Sequence, residues 1–173
     1  MVLEGYNGTI LVYGQTASGK TYTMQGILNN PELEGIIPRM INHVFTHVSN
    51  SDNDIEYLIK VSIIEIYMEK IKDLLDPTRN NLKIRDDKIK GVYIEDLSEH
   101  YVINDRDVLN LIQIGSDNRS VAQTNMNASS SRSHLVFQLT IQQNNKADAS
   151  SKIGKLFLVD LAGSEKMGKS GLV

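Results

Sequence analysis

At 173 residues the chain can form one domain or a large part of one, and its 40% apolar and 23% charged residues are ordinary globular proportions. A net charge of −3 argues against bulk nucleic-acid binding while leaving room for a local basic patch, and the lack of cysteine excludes disulfides and thiolate metal sites. No apolar run approaches the ~20 residues that span a bilayer, so no membrane insertion is expected. The N-terminal residues also lack the charged and apolar regions of a secretory signal, so the Asn-x-Ser/Thr triplets at Asn7, Asn118 and Asn127 are read as unglycosylated.

Thr9 to Tyr13 reads as a short buried strand that runs into Gly14-Gln15-Thr16-Ala17-Ser18-Gly19-Lys20-Thr21. That octet fits G-x-x-x-x-G-K-[ST], the phosphate-binding loop. Its glycines let successive N–H groups face one anion, Lys20 reaches the β- and γ-phosphates, and the Thr21 hydroxyl can hold Mg²⁺. A helix is expected after Thr21, its N-terminus adding positive dipole.

Asn29 to Gly35 reads as a polar loop. Pro38 is placed where a helix can start, with Ile37, Met40, Ile41, Val44, Phe45 and Val48 at helical spacing. His43 and His47 are read as solvated helix surface rather than metal ligands. Glu56 to Tyr67 is expected as one long strand, and Glu69 to Leu75 as one or two helical turns stopped by Asp76-Pro77. Short strand-like pieces alternate with charge from Leu82 to Val102. Asp105 to Gly115 reads as a helix with Asn104 as N-cap and Gly115 as its stop. His134 to Gln143 and Ile153 to Val159 read as strands joined by a polar hairpin loop. Strands and helices around a phosphate loop imply an α/β fold with a central, mostly parallel sheet flanked by helices, incomplete at both ends.

The last strand delivers Asp160, followed three residues later by Gly163. An apolar strand that carries an Asp to a nucleotide site is the Walker B arrangement, with the Asp in the Mg²⁺ shell. The glycine N–H can bond a γ-phosphate and let go after hydrolysis. Upstream, Asn127-Ala-Ser-Ser-Ser-Arg-Ser-His134 places hydroxyls beside an Arg, the groups a γ-phosphate sensor needs, and Glu165 is available to pair with that Arg. Asn145-Lys146-Ala147-Asp148 matches the guanine-reading N-K-x-D pattern. It precedes Asp160 and lies in a hairpin loop, so it is read as a chance match.

Taken together, Gly14 to Met24, Asn127-x-x-Ser-Ser-Arg-Ser-His134 and Asp160-Leu-Ala-Gly-Ser-Glu165 resemble the P-loop, switch I and switch II of the kinesin motor domain. Glu4 to Thr9, Gly35 to Arg39, Glu65-Ile-Tyr67 with Asp73 to Asp76, and Val121 to Asn127 extend the likeness along the chain. The resemblance implies ATP bound by residues 14 to 22, with Tyr22 stacked on adenine, and Mg²⁺ held by Thr21, Ser131 and Asp160. It gives Ser130 the lytic water, Arg132 and Glu165 a closing ion pair, and Gly163 the γ-phosphate hinge, with Asn127 among the catalytic group. It implies a microtubule partner contacted through Lys88, His100, Lys166 and Lys169, a cytoplasmic, cytoskeletal setting, and a parent that dimerises through a stalk.

By the same resemblance, residues 1–173 are expected to be a partial motor domain that lacks an N-terminal strand, the microtubule-facing helix after switch II and the neck linker. A segment of a microtubule-stimulated ATPase motor is the leading reading. A kinesin homologue that holds microtubules without turnover is the alternative. A GTPase or small-molecule kinase would need N-K-x-D after Asp160 or an Arg-rich lid.

Overall fold

The computed structural model describes residues 1–28, 30–88, 91–126 and 130–165, the last helical residues 122–126 and Ser130 through their backbone only. Strand β1 (Gly8–Val12) leads through the phosphate loop into a short helix α1 (Lys20–Met24). Helix α2 (Ile36–Ser49) follows, burying Ile37, Pro38, Ile41 and Val44, which recur one helical turn apart. Strand β2 (Ile55–Tyr67) is the longest, and its run from Val61 to Glu65 is buried throughout.

The segment expected to be helical after Tyr67 is instead strand β3 (Lys70–Asp73), antiparallel to β2. Met68 and Glu69 form the connecting turn with φ of 49° and 61°. Two successive left-handed residues match the twist of a tight hairpin, and neither is the glycine or asparagine that signals such a turn. Pairing with β2 outweighed the local helical pattern. Strands β4 (Asn80–Leu82), β5 (Ile84–Asp87), β6 (Gly91–Ile94) and β7 (His100–Val102) account for the alternating region.

Helix α3 spans Asp105–Met126, twice the expected length. Asn104 does cap its start, the Oδ1 accepting the Asp107 N–H at 2.8 Å. Gly115 does not stop it. That glycine lies mid-helix against Ile63, whose Cδ1 would sit 3.3 Å from an added Cβ. Its role is close packing on β2. Strands β8 (His134–Asn145) and β9 (Ser151–Asp160) then form the expected hairpin. The Asn145 and Asp148 carboxamide and carboxylate accept N–H groups of that turn, from Ala147 and Ser150, so the guanine-like tetrapeptide is turn chemistry.

The main sheet runs β1-β9-β8-β2-β3-β4, with β7 also on β2, while β5 and β6 pair separately. The α/β architecture is as expected, but the sheet is mixed rather than mostly parallel: β1 runs parallel to β9, and the other pairs are antiparallel. The β2–β3, β3–β4 and β8–β9 hairpins have connections of two to six residues, which leave no room for the crossovers that parallel strands require. Helices α1, α2 and α3 pack in a row, α1 touching β1 and β9 and α3 touching β2. Val108, Ile112, Phe137, Leu139, Ile141 and Leu158 fill the core between them. No helix among the described residues is long and apolar enough to cross a membrane.

Candidate functional site

Parallel pairing of β1 with β9 brings the two strands' C-terminal ends together, in register from Gly8↔Leu156 to Val12↔Asp160. The phosphate loop leaves one end and Asp160 ends the other. A crevice at the carboxyl ends of adjacent parallel strands is where α/β folds bind ligands. Here it is a pocket of ≈ 250 Å³ lined by Thr16, Ala17, Gly19, Lys20, Thr21, Tyr22, Ser131, Asp160 and Leu161.

The loop's backbone is shaped for an anion. Gly19 has φ 89°, with open space where a Cβ would stand. Ala17 adopts φ 64°, a left-handed conformation that costs a non-glycine residue on the order of 1 kcal/mol. Ser18 N–H closes a turn onto Gln15 O at 3.2 Å. Lys20 folds back over this cradle, its ammonium donating to Gly14 O at 2.9 Å and Gln15 O at 2.8 Å. Tyr22 lies exposed on the pocket rim.

The donor set also fits a hard divalent cation. The Thr21 hydroxyl donates to Asp160 Oδ2 at 2.5 Å. Asp160 is 5% exposed, and its Oδ1 is buried with no hydrogen-bond partner among the described residues. A buried carboxylate oxygen with no partner calls for a cation or water, and carboxylate plus hydroxyl are the oxygen ligands Mg²⁺ takes. Ser131 lines the same pocket.

Past Asp160 the chain leaves the sheet, and its N–H groups are taken up one after another. Leu161 donates to Val12 O at 3.4 Å, Ala162 to His134 Nδ1 at 3.1 Å, Gly163 to Ser131 O at 2.7 Å and Ser164 to Gly14 O at 3.0 Å. The expected sensor glycine is therefore bonded to the residue proposed for Mg²⁺, and the next residue to the phosphate loop itself. Ser130, Ser131 and Arg132 form a 3-10 turn that presents the Ser131 carbonyl to Gly163.

Three further relationships were not visible in the sequence. Glu165 accepts hydrogen bonds from the Thr16 N–H at 2.9 Å and from the Thr16 hydroxyl. Those donors, the hydroxyl foremost, hold its pKa below the ordinary glutamate value, with Lys20 adding a favourable charge. The expected partner Arg132 is exposed, and among the described residues no ion pair joins it to Glu165. Each Glu165 oxygen faces one Thr16 donor instead. Arg119, buried on α3, contacts Glu65 Oε1 at 3.3 Å and donates to the Ser133 hydroxyl at 3.0 Å, so the strand after the 3-10 turn is tied to the interior. His134 holds Ala162.

Of the remaining expected site residues, Lys88 sits in the β5–β6 turn and His100 opens β7, both exposed and neither lining the pocket. Asn127, Lys166 and Lys169 lie outside the described residues.

Comparison with known proteins decides the family. The kinesin motor domain model matches residues 1–172. The chain belongs to the kinesin motor domain family. Kinesin-related protein 3 of Dictyostelium discoideum is 56% identical over 174 residues, covering 98% of this chain and 14% of that protein. Kinesin heavy chain isoform 5C of Homo sapiens is 51% identical over 170 residues, covering 98% of this chain and 18% of that protein. A solved structure of a fast kinesin superposes with a TM-score of 0.96 at 49% identity, covering 99% of this chain and 49% of that one. This kinesin chain thus spans under a fifth of those two curated relatives and about half of the solved chain.

Proposed function

We propose that this kinesin chain is the ATP-binding and ATP-hydrolysing segment of a microtubule-based motor, in which γ-phosphate sensing by the two switch segments is coupled to microtubule binding and movement. The observation that carries the reading is the convergence of the phosphate loop, the Thr21–Asp160 pair and the Gly163–Ser131 bond on one pocket.

In this reading the N–H groups of residues 15 to 20 hold the β- and γ-phosphates, and Lys20 exchanges the Gly14 and Gln15 carbonyls for phosphate oxygens. Tyr22 supports the adenine. Thr21, Ser131 and Asp160 would hold Mg²⁺, which would neutralise charge building on the phosphate oxygens. Water held by Ser130 attacks the γ-phosphorus in line, the bond to the β,γ-bridging oxygen breaks, and ADP and inorganic phosphate leave. No strong base is required, because catalysis of this kind is positioning and charge stabilisation. Gly163 must release the Ser131 carbonyl to donate to a γ-phosphate, and Glu165 must release Thr16 to meet Arg132. Both exchanges are local, because the switch segments already touch the phosphate loop.

Exposed Lys88 and His100, together with Lys166 and Lys169, are assigned to an acidic microtubule surface. The parent protein is placed on the cytoplasmic microtubule cytoskeleton, as a dimer joined by a stalk. The test is ATP turnover by the full chain with and without microtubules. Turnover that rises with microtubules and disappears in Lys20→Ala supports the motor. Microtubule binding by a folded protein with no turnover points instead to a non-motor homologue.

A further inference from the structure

The antiparallel ladder between β8 and β9 ends at Leu135↔Asp160. On the other side of β9 the parallel ladder ends at the neighbouring pair Val12↔Asp160, and Leu161 makes one last bond, to Val12 O. Ala162 is therefore the first residue of the switch II segment with no ladder to donate to. A partly buried N–H in that position needs an acceptor or costs the free energy of a lost hydrogen bond. The acceptor is a side chain, His134 Nδ1 at 3.1 Å, on the first residue of β8. His134 is itself fixed in the sheet by pairing with Ile66.

We infer that His134 is a positioning residue for switch II, and that its Nδ1 lone pair sets the register in which Gly163 reaches switch I. The next N–H along, that of Gly163, meets Ser131 O, three residues before His134. Side chain and carbonyl together hold two successive donors of switch II against one turn of switch I. To accept, the imidazole carries its proton on Nε2. Among the described residues His134 makes no side-chain hydrogen bond to the phosphate loop or Asp160, so it acts through Ala162. The role in turnover rests on the ATPase reading above; the role in holding Ala162 does not.

Two measurements on the full chain test this. Amide exchange at Ala162 is slow in the wild type, rises roughly 3- to 10-fold in His134→Ala, and is restored in His134→Asn, whose Oδ1 stands in the place of Nδ1. His134→Gln moves its polar atoms one bond further out and fails to restore it. In steady-state ATP turnover, His134→Ala lowers kcat about 10-fold with KM for ATP little changed, and Asn recovers most of the loss. Unchanged exchange in His134→Ala, or Asn and Gln behaving alike, overturns the inference. If Ala proves too unstable to study, the Asn and Gln pair alone decides it. A wild-type chain without turnover sinks the ATPase reading, while the exchange comparison still stands or falls by itself.

Discussion

Glu165 and Thr16 lie 149 residues apart in sequence, and the Glu165 carboxylate accepts both the Thr16 N–H and its hydroxyl. This contact joins the switch II segment to the phosphate loop. It also couples the two elements to pH. Thr16 and, more weakly, Lys20 favour the ionised carboxylate, so the folded pKa is depressed. A depressed acid contributes its contact above the unfolded pKa and loses it as pH falls through the folded value. The contact is therefore intact at neutral pH and opens only below the ordinary glutamate range. Thr16→Val removes the foremost donor and moves the Glu165 titration upward. A carboxyl-carbon NMR titration of both proteins checks this, and equal midpoints would count against the contact.

Gly163 is the position where a single methyl group tests the switch without breaking the fold. A Cβ there would stand 2.6 Å from Thr16 Oγ1 and closer still to the Glu165 carboxylate. Both side chains are exposed and can turn aside, at the cost of the contact between them. Gly163→Ala is expected to melt within a few degrees of wild type yet lose turnover on the order of 10²-fold, the effect of misplacing one charge-stabilising donor. Melting curves and kcat measured on the same preparation separate the two outcomes.

Arg119 and Glu65 form a nearly solvent-free pair, with side chains 10% and 4% exposed. Such a pair adds little relative to apolar residues of the same size, but removing one member strands the other charge. Arg119→Met is expected to destabilise by about 3–5 kcal/mol, and Arg119→Met with Glu65→Leu by distinctly less. Urea titrations of the single and double variants give the comparison. A double variant as unstable as the single would show that Arg119 matters chiefly through Ser133.

Gly115 is expected to improve on substitution. Glycine in a helix interior costs about 1 kcal/mol relative to alanine. Against this, the new methyl would meet Ile63 Cδ1 at 3.3 Å. Both residues line a cavity of ≈ 230 Å³, which gives the isoleucine terminus room to turn. Gly115→Ala is thus expected to stabilise by roughly 0.5 kcal/mol, and Gly115→Val to destabilise by overpacking. Thermal melts of the pair read the sign.

The sequence was most informative where chemistry is local. The phosphate loop, the strand into it and the strand ending at Asp160 carry their own patterns, and the structure shows them adjacent. It was least informative where long-range pairing overrode local preference. The Glu69 to Leu75 stretch looks helical in isolation and becomes β3 because β2 offers it a ladder. Gly115 looks like a terminator and is a packing contact, a distinction set by Ile63 more than fifty residues upstream. Site contacts were hidden for the same reason. In this structure Glu165 meets Thr16, a residue 149 positions away whose approach no local pattern signals. His134 stood in view inside the serine motif, but only the end of the β8–β9 ladder shows which N–H it serves.

Asp160 offers the most direct probe of the cation. Its Oδ2 takes the Thr21 hydroxyl at 2.5 Å, while Oδ1 is buried without a partner among the described residues. Asn at this position keeps the size and one acceptor oxygen but removes the charge that attracts Mg²⁺ and adds two donors where a cation is expected. Asp160→Asn is expected to raise the Mg²⁺ concentration for half-maximal turnover by about 10- to 100-fold. A magnesium titration at saturating ATP, repeated with Mn²⁺, gives the shift directly. If the half-maximal concentration does not move, Asp160 serves to order Thr21 and the cation is held by phosphate oxygens and the two hydroxyls alone.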